Sequence, residues 1–93
     1  MSGQNLVTED TKEYISKNFK NTELGLVRIA KNLDLQGMEA SEIINHCHKI
    51  ILSTPISKIE VHGKNYYLYS QEYSAVLTIN RSSLGIITAK RYQ

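Results

Sequence analysis

The 93-residue chain is short of the features that mark several large protein classes. It has one cysteine, Cys47, which excludes an intramolecular disulfide and any multi-cysteine zinc site. Its compartment is therefore expected to be reducing and cytoplasmic. No apolar run approaches the ~20 residues of a membrane span; a stretch such as Ile50-Ile51-Leu52 covers three. Met1-Ser2-Gly3-Gln4-Asn5 lacks a basic stretch followed by an apolar one, so no signal peptide and no membrane association are expected. Charge of one sign is scarce as well. Eleven Lys and Arg face nine Asp and Glu, a net of +2, far from a strongly basic nucleic-acid protein. There is no glycine-rich phosphate loop, no nucleophile elbow and no paired-carboxylate site. Those absences leave no catalytic motif, no cofactor and no metal to expect.

What is present is unevenly distributed. Residues 1–54 carry six basic and seven acidic residues, whereas residues 55–93 carry five basic and two acidic. Five of the six tyrosines (66, 67, 69, 73 and 92) lie in the second part, and the sole proline, Pro55, stands at the join. Neither part can bury a core alone, so residues 1–93 read as a single domain with a helical half (1–54) and a sheet half (55–93).

The helical half announces itself by capping and period. Thr8 is suited to cap a helix running to about Phe19, with Glu9 and Asp10 where the helix dipole favours acids. Val7, Thr11, Ile15 and Phe19 form one narrow stripe. Thr22 caps a second helix to about Asn32, in which Leu24, Leu26, Val27, Ile29, Ala30 and Leu33 make a broad apolar surface; Gly25 weakens its start. A third helix spans about Glu39 to Leu52, with Ile43, Ile44, Cys47, Ile50 and Ile51 at buried-face spacing. Pro55 ends it.

After Pro55 the period becomes two. Gly63-Lys64 reads as a type II′ turn, which pairs Val61 with Tyr66 and Ile59 with Leu68. A loop over Gln71–Ser74 then pairs Leu68 with Leu77 and Tyr66 with Ile79, and a last strand runs from Gly85 to Arg91 with its register open by one residue. The fold class is α+β: three N-terminal helices on one face of a four-stranded antiparallel meander.

The opposite face then collects Lys58, Glu60, His62, Asn65, Tyr67, Tyr69, Val76, Thr78 and Asn80, with Thr88, Lys90 and Tyr92 joining in one of the two registers. Tyrosines combine a flat apolar surface with a hydroxyl, which serves protein interfaces and base stacking alike. They are also ordinary strand formers. The expected partner surface is Tyr67, Tyr69, Thr78 and Asn80 with a basic margin of Lys58, His62, Lys64, Arg81, Lys90 and Arg91. A protein or ribonucleoprotein complex is favoured over a small molecule, with RNA or a second copy of the chain as other candidates. One version is a phage or mobile-element inhibitor of a host nuclease complex such as a CRISPR effector. The competing reading is a metal-independent ribonuclease, with His62 as acid or base and the cations stabilising phosphate charge. His46, Cys47 and His48 do not suit a metal, because residues two apart on a helix diverge.

The segments Gly63-Lys64-Asn65-Tyr66-Tyr67, Leu77-Thr78-Ile79-Asn80 and Ile86-Ile87-Thr88-Ala89, with Thr22-Glu23-Leu24 and Arg28-Ile29, resemble a family of small uncharacterised Firmicutes proteins classed as a domain of unknown function. The resemblance covers about residues 22–91 and implies a bacterial or phage origin without an activity. The helix-then-meander order also resembles the barnase–colicin–RelE type of ribonuclease toxins, by topology alone. No catalytic residue transfers from them, since fold does not carry function.

Overall fold

Threonine hydroxyls start the first two helices, as their positions predict. In a computed structural model that describes residues 7–92, α1 runs Glu9–Asn18, and Thr8 Oγ1 accepts from the Thr11 amide at 3.2 Å. The Thr11 hydroxyl accepts in return from the Thr8 amide, closing a reciprocal cap. Helix α2 runs Glu23–Asn32, with Thr22 Oγ1 accepting from Gly25 N at 2.9 Å. Gly25 is explained by crowding. A Cβ there would stand 3.0 Å from Thr22 Oγ1 and 3.5 Å from the Ile86 carbonyl oxygen. Helix α3 spans Ala40–Ser53, one residue later at each end than the sequence suggests. A 3-10 turn at Ile56–Lys58 follows. The reading of residues 1–5 concerns positions outside the described residues.

The sheet comprises β1 (Ile59–His62), β2 (Asn65–Ser70), β3 (Ala75–Asn80) and β4 (Ile86–Arg91), antiparallel in the order β1-β2-β3-β4. Gly63 has φ +60°, and Lys64 does not share a positive φ, the pattern of a II′ turn. The expected pairs all form: Ile59 with Leu68, Val61 with Tyr66, Leu68 with Leu77, and Tyr66 with Ile79. The open register of the last strand has a physical cause. Ile86 and Ala89 are both buried yet lie three apart, which no strict alternation allows. A bulge between Thr78 and Ile79 resolves it: Thr88 pairs with Thr78, Ile86 with Ile79, and Ile87 is the extra residue, 40% exposed.

Ile15, Ile29, Ile50 and Ile51 from the helices meet Ile59, Leu68, Leu77, Ile79 and Ala89 from the sheet in one buried core. Helix α3 lies against β2 and β3 on one face, whereas α2 runs beside β4. The linker between α1 and α2 adds a feature that periodicity does not encode. Lys20 N donates to the Leu84 carbonyl and Ile86 N to the Lys20 carbonyl, each at 2.9 Å, in a parallel bridge. The β4 edge is thereby paired at its start and flanked by α2 beyond. At the other edge β1 is only four residues long, which limits edge-to-edge pairing. Among the described residues no helix is long and apolar enough to cross a membrane.

Candidate functional site

Register assigns each side chain of the sheet to a face. Opposite the helices stand three cross-strand rows: His62–Asn65–Asn80, Glu60–Tyr67–Thr78–Thr88, and Tyr69–Val76–Lys90. The bulge therefore places Thr88 and Lys90 on this face, and Tyr92 joins them through its ring contact with Tyr69, centroids 5.3 Å apart and edge-on. Asn32 Nδ2, from the end of α2, reaches round the β4 edge to Thr88 Oγ1 at 3.3 Å.

The tyrosines are half-buried rather than exposed, with Tyr69 packed on Tyr92 and Tyr67 on His62. His62 meets the Tyr67 ring edge-on at 5.4 Å, and its Nε2 lies 2.7 Å from Glu60 Oε1. Burial raises the Tyr69 phenol above its ordinary range, and the nearby Glu60 carboxylate and the phenols of Tyr67 and Tyr92 push it the same way. Thr78, expected on the accessible surface, is only 8% exposed. It lies at the centre of the row between Tyr67 and Thr88, so it supports the surface rather than forming it.

The basic margin divides. Arg91 pairs with Ala75, a core-facing residue, and so belongs to the helix side of the sheet. Arg81 follows Asn80 and turns the same way: its guanidinium lies 5.8 Å from the centroid of the core-facing Tyr66 ring, and Nη1 donates to the Gly63 carbonyl at 3.1 Å. Lys64 sits in the turn beside it, and together with Tyr66 and Ser82 they line a polar hollow of about 300 Å³. Lys58 closes the 3-10 turn before β1, at the far edge from Lys90. Alternation is the reason these charges separate: neighbouring residues in an extended strand point to opposite faces.

The same geometry bears on the nuclease constellation. His62 and Lys64 are at the turn end, whereas Lys90 lies opposite Val76, four residues from Asn80, or about 13 Å along the strand. Glu60 can orient the His62 ring, but the guanidinium nearest that end is directed at Gly63 and Tyr66 on the other side.

Around Cys47 the three candidate ligands diverge. Cys47 is fully buried and burial pushes its thiol up to about 12. His46 packs edge-on against Tyr73 at 5.2 Å, and His48 stacks with Phe19 at 5.9 Å. Among the described residues no group of three or more His, Cys, Asp and Glu comes together.

One surface was missed by sequence reasoning. Between α2 and the start of α3 lies an apolar groove of about 550 Å³, walled by Leu26, Val27, Ala30, Met38 and Ile43, with Glu23 and Lys31 also on its lining. Leu24 and Val27 beside it are 63% and 64% exposed. The signal was present: five apolar residues on a ten-residue helix, with Leu33 at its C-cap, exceed what a single buried stripe needs.

Comparison with known proteins gives a family model, described as "Protein of unknown function (DUF3781)", that matches residues 11–90. The resemblance drawn from the strand segments is borne out in that respect. No curated protein and no solved structure matches the chain.

Proposed function

We propose that this chain, which belongs to the DUF3781 family, is a non-enzymatic binding module that holds a protein partner on the helix-free face of its sheet. The observation that carries this reading is the continuity of that face. Tyr67, Tyr69 and Tyr92 stand side by side over a floor of Thr78 and Val76, edged by His62, Thr88 and Lys90. Rings held by their neighbours lose little freedom on binding, and each offers apolar area with a hydroxyl at its tip. A protein fits this face better than RNA does. Its charges are mixed, with Glu60 beside His62 at one edge and Lys90 at the other, while Arg81 and Arg91 turn to the other side. A nucleic-acid groove needs a continuous basic track.

The test is affinity capture from a natural host, with and without nuclease treatment. A protein should be retained after nuclease treatment, and Tyr67→Ala with Tyr69→Ala should abolish its capture, as should Lys90→Glu in weaker form. Capture that requires intact nucleic acid, or that survives the tyrosine variants, overturns the reading. So does growth arrest on expression that His62→Ala relieves, since that is the signature of a nuclease.

A further inference from the structure

The solvent face of α2 is more apolar than a helix on the outside of a small domain requires. Leu24 and Val27 are 63% and 64% exposed, and Met38 across the groove is 39% exposed. Side chains this exposed contribute little to folding, and together with the groove they form one patch rather than scattered positions.

The charges on this face are arranged with a symmetry. Glu23, Val27 and Lys31 are spaced four apart and so share one side of the helix, acid at the start and base at the end. Among the described residues neither charge pairs with another group of the chain, whereas Glu13 does pair with Lys17 at 2.9 Å. When two identical helices pack antiparallel about a two-fold axis level with Val27, a residue four before it on one copy faces the residue four after it on the other. Glu23 then meets the second copy's Lys31, and Lys31 meets its Glu23. Leu24 lies level with the second copy's Ala30, large beside small, and Val27 packs on Val27. An isologous contact demands a patch that is complementary to itself, and this one is.

We infer that the chain forms a homodimer through α2, packed antiparallel about Val27 and registered by two reciprocal Glu23–Lys31 pairs. Met38 is unbranched and flexible, which lets it fill the space left over the groove. A stable interface takes about 800 Å² from each copy, more than one ten-residue helix face supplies, so the dimer is expected to be weak and to form in the micromolar range. The contact uses α2, which runs beside β4, and none of the residues it names belongs to the tyrosine face, so a dimer would present two such faces. The inference does not rest on the use of that face.

Sedimentation velocity over about a hundredfold range of concentration tests it. The expected result is a monomer–dimer equilibrium that Val27→Glu or Leu24→Glu abolishes, with the thermal midpoint unchanged when it is measured on dilute, monomeric protein, because both side chains are exposed in the monomer. Charge reversal supplies the sharper arm. Glu23→Lys alone and Lys31→Glu alone should each weaken the dimer, since each creates like-charge pairs, and it should weaken further as salt is lowered. The double reversal Glu23→Lys with Lys31→Glu restores opposite signs across the axis and should recover the wild-type association. A chain monomeric throughout the range overturns the inference, including the case in which the groove serves a different partner. A dimer indifferent to Val27→Glu, or one lost on Tyr67→Ala, also overturns it, because its contact is then elsewhere. A double reversal no better than the singles overturns the antiparallel register.

Discussion

Leu68 and Tyr69 are adjacent on β2 and face opposite sides of one sheet, and the two sides achieve their burial differently. Leu68 is wholly enclosed by residues from α3 and the neighbouring strands. Tyr69 is half-covered, with the Tyr92 ring packed edge-on to it. The helix side is closed by elements distant in sequence, so its residues belong to the cooperative core. The other side is closed by its own neighbours, so a side chain can be removed there without opening a cavity. One side carries stability, and the other is left free for the binding role proposed for it.

The largest expected effect breaks or upholds that contrast directly. Leu68→Ala should cost about 2–5 kcal/mol, the range for truncating an enclosed leucine. Tyr69→Ala should cost about 1 kcal/mol or less, the worth of a cross-strand side-chain pair. Urea denaturation of both variants measures the two costs on one scale. If Tyr69→Ala proves as damaging as Leu68→Ala, the helix-free face is part of the core and the proposed binding surface fails with it.

A thiol probe tests closure of the helix side alone. With its pKa near 12 against an ordinary 9.0, Cys47 holds about a thousandfold less thiolate at mildly alkaline pH, and the thiolate is the reactive form. It is also fully buried. Cys47 should therefore resist alkylation in native protein and react at an ordinary rate in denaturant. Native-state labelling at the rate of a free thiol would show that α3 does not seal the sheet.

The hairpin turn that joins β1 to β2 should respond on a smaller scale. Gly63 has φ +60° with nothing near the position of an added Cβ, so Gly63→Ala meets no steric obstacle, only the backbone preference of an L-residue. That preference is worth about 1–3 kcal/mol in the sparsely populated backbone region a II′ turn demands. Lys64→Ala in the same turn has no positive φ to accommodate and should be nearly silent. The comparison of the two by thermal denaturation separates turn conformation from loss of surface charge.

Much of this contrast was legible in the sequence, and the reason is local. The II′ turn at Gly63 sets the β1–β2 register, and once it is set, alternation assigns every residue of β2 and β3 to a face. Thr8 and Thr22 mark their helices because capping is a contact within one turn. What could not be read depends on contacts between distant segments. The bulge at Ile87 exists because Ile86 and Ala89 must both reach the core, and the Lys20–Gly85 bridge follows from how α1 leads into α2. The site suffered from the same cause. Arg81 and Arg91 look like neighbours of the tyrosine face when charges are counted by segment, but each is one residue out of phase with it. The groove beside α2 was half-visible as an excess of apolar residues, while its second wall, Met38 and Ile43, comes from beyond a loop.

The smallest expected effect concerns His46, on the helix side but at its margin. Burial, with Tyr73 packed edge-on to the ring, lowers its pKa below the ordinary 6.5, and the Lys49 ammonium lowers it further. The unfolded chain therefore binds a proton at this position more readily than the folded one. By linkage, stability should be unaffected by this group above about pH 6.5 and should fall as pH drops from there toward the depressed folded value, levelling off once both states are protonated. His46→Gln cannot titrate and should lose that slope. The measurement is the urea midpoint of wild type and variant at matched ionic strength across that interval. Much of the His46 ring remains in contact with solvent, so the difference should be small. A large one would mean that protonation displaces Tyr73 and loosens the Ser70–Tyr73 turn, where the Ser70 hydroxyl holds the Tyr73 amide at 3.2 Å and the Ser53 hydroxyl of α3 at 2.7 Å. In that event acid would act on the helix side through its margin, and the division between a closed face and an adaptable one would run along this turn rather than through the plane of the sheet.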